Sequence, residues 1–174
     1  MHINVGQLFV DDSALYACGR WRKPGGSSVE LRHSIDIQAS PDTLYDWFRH
    51  LDRHYRQWHA DHRDCYWEKG DGTHAGDILF ASELLHGRLH RLRFRMTRLR
   101  PGRFMRFRVL GVIGWLVPEG DFTITPSNNG SRFSAGLRVR GGWLLRRLLP
   151  AHYQALRTHM REEGENLKRL LELS

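Results

Sequence analysis

Polar and apolar positions alternate with a period of two along "VELRHSIDIQ". Val29, Leu31, His33, Ile35 and Ile37 take one face; Glu30, Arg32, Ser34, Asp36 and Gln38 take the other, which predicts a half-buried strand. The period changes at once in "SPDTLYDWFRHL". There Ser40 is placed to cap a helix, Pro41 fits its first turn and Asp42 suits the positive end of its dipole. Leu44, Trp47, Phe48 and Leu51 form its apolar stripe, and the helical region is expected to continue, with a break, through "DRHYRQWHADH". Six strand-like runs follow: "CYWEKG", "GDILFASELL", "LHRLRFRMTRL", "RFMRFRVLG", "GDFTITPS" and "SRFSAGLRVRG". Gly-rich turns such as "GDGTHAG", "RPG" and "SNNG" separate them. After "GG" at 141–142, "WLLRRLLPAHYQALRTHMREEGENLKRLLELS" predicts a long helix, kinked or restarted at Pro150.

The order is strand, helices, about six antiparallel strands, long helix. This predicts an α+β domain over residues 28–174, preceded by an N-terminal extension over 1–27. A sheet buried on one face needs a cover, and only the last helix is long enough to supply one. A sheet of about seven strands curved around that helix leaves an internal cavity, a natural place for a small hydrophobic or aromatic molecule.

Composition narrows the class. The chain has 174 residues, 40% of them apolar, which suits one domain with a core and excludes a disordered tail. Its longest apolar run, "VLGVIGWLV", is far short of the roughly 20 residues of a membrane span. No secretory signal pattern opens the chain, and Cys18 and Cys65 have neither metal-finger nor redox spacing, so they read as free thiols in a reducing cytoplasm. The net charge of +8 concentrates in "HGRLHRLRFRMTRLRPGRFMRFRV". Its arginines oppose the apolar faces of their strands and read as a solvated sheet surface or an attractor of anions. The aromatics take the inward parity, which argues against a nucleic-acid stacking platform.

The chemistry sits on the last helix. Leu156, His159, Glu163, Asn166, Leu167 and Leu170 share a stripe, opposite Gln154, Arg157, Arg161, Glu165, Lys168 and Arg169. A carboxylate on the inward stripe needs a partner, because an unpaired buried charge costs several kcal/mol. His159 and Glu163 can bond each other, Glu163 can meet an arginine, or one metal ion can satisfy both. Glu83 interrupts the otherwise apolar "ILFASELL"; both faces of that strand read apolar, so parity does not orient it. In "WHADH", His59 and His62 share a face if the segment is helical, and Asp61 is placed to orient one imidazole. His33 reads as a satisfied core histidine, and His86 and His90 as exposed turn residues.

The opening "IDIQASPDTLYDWFRHLDRHYRQW" resembles that of the START-like, or SRPBCC, helix-grip proteins, with a likeness running from Ser28 to Glu172. That fold hosts carriers, cyclases and hydrolases. "YRQWHADH", "ASELLHG" and "HYQALRTHMREEGENLKRLL" are together similar to the zinc-dependent diacetylphloroglucinol hydrolases, which cut a carbon–carbon bond between an acetyl group and a phenolic ring. The resemblance implies zinc held by His59 or His62 with Glu83, His159 and Glu163. This chain departs from that family in being shorter and in having no His on the late strands. The resulting expectation is a metal-dependent hydrolase of a small aromatic or polyketide-like ketone. In it Glu163 shuttles a proton, and Tyr153, Phe94, Phe107 and Trp115 contact the substrate. The alternatives are a non-catalytic carrier of a lipid or other hydrophobic ligand and a metal-free polyketide cyclase or dehydratase.

Overall fold

The computed structural model describes residues 28–85, 87–141, 147, 148 and 150–173; the expected N-terminal extension, Cys18 and His86 lie outside them. The elements run β1 (Ser28–Ile37), α1 (Pro41–Arg49), α2 (Leu51–Trp58), β2 (His62–Lys69), β3 (Ile78–Leu85), β4 (Arg88–Arg100), β5 (Phe104–Val109), α3 (Ile113–Leu116), β6 (Glu119–Ser127), β7 (Gly130–Arg140) and α4 (Pro150–Glu172). All seven strands form one antiparallel sheet in the order β1-β7-β6-β5-β4-β3-β2. The curved sheet with its C-terminal helix has the expected helix-grip architecture.

Ser40 caps α1 as its sequence predicts, accepting from the Thr43 backbone N–H at 3.1 Å. Such a cap contributes about 1 kcal/mol. The apolar stripe of α1 enters an aromatic core, where Phe48 stacks on Phe122 and Phe133 at 4.5 and 5.0 Å between centroids. Two features depart from the pattern. Helix α2 stops at Trp58: His59 is extended and His62 opens β2, so the two histidines do not share a helix face. The buried stripe of α4 comprises Tyr153, Met160, Gly164 and Leu167, leaving His159 and Glu163 at its margin. They keep 14% and 17% side-chain exposure, so neither is fully withdrawn from solvent.

Helix α4 is pinned in depth by polar contacts. Trp58 Nε1 donates to the Glu163 carbonyl at 2.9 Å. Lys168 Nζ donates to the Asp36 carbonyl, and Glu172 accepts from the Gln38 N–H, both at 2.9 Å.

Candidate functional site

His62 and Glu83 are direct cross-strand partners on β2 and β3. His62 and Cys65 are three positions apart on β2, whereas their partners Glu83 and Ala81 are two apart on β3. That extra residue is a bulge, and it turns both His62 and Cys65 to the inner face. Strict alternation would have sent His62 outward. The inner face also receives His159 and Glu163 from α4, so the four residues meet between sheet and helix.

Their polar atoms converge. His62 Nε2 lies 3.2 Å from Glu163 Oε1 and 3.7 Å from Glu83 Oε2. His159 Nε2 lies 3.6 Å from Glu163 Oε1 and 3.9 Å from Glu83 Oε2. The His62 side chain is fully buried, and its Nδ1 is 2.9 Å from the Tyr55 carbonyl. A carbonyl only accepts, so Nδ1 carries the proton and Nε2 presents a lone pair to the two carboxylates. That Nε2 is buried without a hydrogen-bond partner. Lone pair facing carboxylate is repulsive until a proton or a cation stands between them.

Burial pushes the Glu83 carboxyl up to about 7, with the neighbouring Glu163 charge adding to it and His62 opposing. Burial also holds the His159 imidazole below its usual range, against the pull of Glu163. A neutral imidazole and a carboxylate that is costly to ionise both fit a site completed by a cation.

The structure separates the two histidines of "WHADH". His59 Nδ1 accepts from the Asp61 backbone N–H at 3.1 Å, so its proton is on Nε2, which points to Glu162 Oε2 at 3.4 Å. The Asp61 carboxylate stays 3.8 Å from His59. His59 therefore stands beside the four, its ring 4.3 Å from that of His159, with both nitrogens already engaged. A ligand nitrogen from each of His59, His62 and His159 still lies within 4.8 Å of the others.

Several participants have no sequence signal. Tyr55 stacks on His62 at 3.8 Å and 2°, and its hydroxyl donates to Glu83 Oε2 at 3.3 Å. Only its spacing from Trp58 on α2 marks it as inward. Glu162 reads as one more surface acid. His90, expected in an exposed turn, lies in β4 opposite Glu83 and is half-buried.

Of the expected substrate contacts, Tyr153 is buried on α4, and Phe94 meets Phe107 edge-on at 5.2 Å on the inner face. Trp115 is 59% exposed on the α3 turn, outside the packed aromatic group, because the apolar run "VLGVIGWLV" leaves the sheet after Val109. His33 is not a satisfied core histidine: its Nε2 is buried without a partner. Cys65 is a free, largely buried thiol pushed up to about 12. A second cluster, Asp71, His74 and Asp77, occupies the loop between β2 and β3. There Asp77 Oδ2 already accepts from the N–H groups of Gly72 and His74 at 3.0 Å, which explains the residue as a turn organiser. Among the described residues no helix is long and apolar enough to cross a membrane.

Three similar solved structures share the architecture. The di-domain ARO/CYC StfQ from the steffimycin biosynthetic pathway is 14% identical, with a TM-score of 0.61 over 84% of this chain and 51% of that one. This chain thus spans about half of that protein. Truncated norcoclaurine synthase from Thalictrum flavum is 13% identical, with a TM-score of 0.62 over 86% and 97%. Major latex-like protein 151 from Panax ginseng is 12% identical, with a TM-score of 0.62 over 84% and 99%. At these identities the likeness shows the fold alone. No curated protein matches the chain. The family model described as "Polyketide cyclase / dehydrase and lipid transport" matches residues 28–172, nearly all of the described domain, and the chain belongs to that family.

Proposed function

We propose that this protein is an enzyme acting on a small aromatic or polyketide-like ketone, with a divalent cation held by His62, His159, Glu83 and Glu163. The observation that carries the reading is His62 Nε2, buried, unpartnered, and aimed with its lone pair at two carboxylates. Two imidazoles and two carboxylates are a donor set that suits zinc. When bound, zinc polarises a carbonyl oxygen and activates water.

The chain's own residues supply the rest. The Tyr55 carbonyl fixes the His62 tautomer, and the Tyr55 hydroxyl holds Glu83. His59, its two nitrogens bonded to the Asp61 N–H and Glu162, stands at the edge of the cluster beside His159. Glu163 takes the proton of the attacking water and returns it to the leaving group. In hydrolytic carbon–carbon cleavage the water oxygen joins the carbonyl carbon, the bond to the ring breaks, and its electron pair goes to the ring carbon. That carbon then takes the proton. A phenolic ring tolerates this because it delocalises the charge, so a phenolic aryl ketone is the substrate class.

The family model and the ARO/CYC neighbour favour a second reading, a cyclase or dehydratase that works without metal. Glu83, with its carboxyl at about 7, then gives and takes protons near neutrality beside His159. A carrier of hydrophobic ligands is the third reading and leaves the polar cluster without a role.

Metal analysis of chain purified without a His-tag, paired with assays on phenolic aryl ketones and poly-β-ketone analogues, separates the three. Close to one zinc per chain and ketone hydrolysis, both lost in His62→Ala, support the hydrolase. Metal-free protein that cyclises or dehydrates the analogue, with loss in Glu83→Gln, supports the second reading. Ligand binding without turnover leaves the carrier.

A further inference from the structure

The outer face of the sheet uses two charge patterns. On β1, β6 and β7 arginines pair with acids: Arg132 with Asp36 at 2.9 Å, Arg32 with Asp121 at 3.2 Å, and Arg138 with Glu119 at 2.6 Å. On β4 and β5, Arg93 pairs with Glu68 at 2.9 Å, but four other arginines face one another. Arg95 is the cross-strand partner of Arg108, and Arg98 of Arg106. A bulge between Met96 and Arg98 turns Arg98 outward, so the row continues through Arg100. Arg91, Arg95, Arg98, Arg100, Arg106 and Arg108 are exposed and make no ion pair among the described residues. Like charges directly opposite destabilise a sheet. Asp121 and Glu119 on β6 are the cross-strand partners of Arg106 and Arg108, but their carboxylates make their ion pairs with Arg32 and Arg138 on the other side.

One end of this row is apolar. Leu89, two residues before Arg91 on the same face of β4, is 52% exposed. Tyr66, which the register places beside Phe80 and so in line with Arg93 on the outer face, is 49% exposed. Other outward rings along the row are covered: the Arg106 guanidinium lies over Phe104, and Arg93 lies over Phe80. Nucleic acid is thus offered phosphate contacts but no run of open rings for its bases. Arginines next to an exposed Tyr and Leu match the headgroup and interfacial layers of a bilayer.

We propose that the β4–β5 arginine face, with Leu89 and Tyr66 beside it, docks this protein onto an anionic lipid surface. The proposal is independent of the chemistry of the inner cluster. It gives a protein of an interior hydrophobic ligand a means of meeting the phase in which such ligands dissolve.

The test is co-sedimentation of the full chain with vesicles of phosphatidylcholine, or of phosphatidylcholine mixed with phosphatidylglycerol. Binding to the mixed vesicles only, weakening with salt, is expected. Arg95→Gln with Arg108→Gln lowers it about tenfold or more. Arg32→Gln with Arg132→Gln removes the same charge from the paired half and leaves it nearly unchanged. Leu89→Ser weakens the binding and makes what remains more salt-sensitive. No binding to the mixed vesicles overturns the proposal, as does equal weakening by the two arginine pairs. Binding of duplex DNA without vesicle binding assigns the face to nucleic acid and overturns it too.

Discussion

Glu83 and Tyr55 set the electrostatics of the inner cluster one side chain at a time. With its carboxyl at about 7 against an ordinary 4.5, folded Glu83 keeps a proton that the unfolded chain has already released between those values. The metal-free protein therefore loses stability from this group as the pH rises through that window, and stays lower above it. Glu83→Gln removes the loss. With chelator present, the variant should gain on the wild type by on the order of 1–3 kcal/mol between pH 5 and pH 8 in urea melts. A difference between the two proteins that does not change with pH would contradict the account. Tyr55→Phe keeps the stack on His62 but deletes the bond to Glu83. It should cost about 0.5–1.5 kcal/mol and move the Glu83 titration further upward, which NMR titration of the carboxyl reads.

Gly164 governs how closely α4 approaches β1. A Cβ there would stand 2.8 Å from His33 Cδ2 and 2.9 Å from its Nε2, inside van der Waals contact. Glycine within a helix ordinarily costs about 1 kcal/mol relative to alanine, so this one is held by packing. Gly164→Ala should destabilise the chain by about 1–3 kcal/mol despite the better helix propensity, and should weaken metal binding because Glu163 moves with the backbone. Adding His33→Ala should restore much of the loss; a cycle without coupling would show that the close approach does not matter. The elements themselves were legible because period-two and helical patterns, the Ser40 cap and the Gly turns agree. The irregularities were not. The bulge that turns His62 inward, the end of α2 at Trp58 and the departure of Trp115 from the sheet depend on tertiary pairing, which a single strand's pattern does not carry.

At the scale of the whole molecule, the same sheet builds two unlike faces. Its inner side gathers one imidazole from β2, one carboxylate from β3, and one of each from α4. The β2–β3 pairing joins His62 to Glu83, and the closing helix brings His159 and Glu163 to them from far along the chain. That gathering was readable in part: the His159–Glu163 spacing shares the apolar stripe of its helix, whereas the orientation of Glu83 and the roles of Tyr55 and Glu162 emerge only from contacts across the fold. Leu167, fully buried on α4, secures this closure, and Leu167→Ala should lower stability by about 2–5 kcal/mol in denaturant melts. A loss below the lower bound would mean that α4 is held by its polar pins instead. The most direct measurement of the central claim is a calorimetric zinc titration of metal-stripped, tag-free protein. The account predicts one ion per chain, a matching rise in melting temperature, and loss of both in His62→Ala. Absence of binding, or zinc binding that His62→Ala leaves intact, would contradict it.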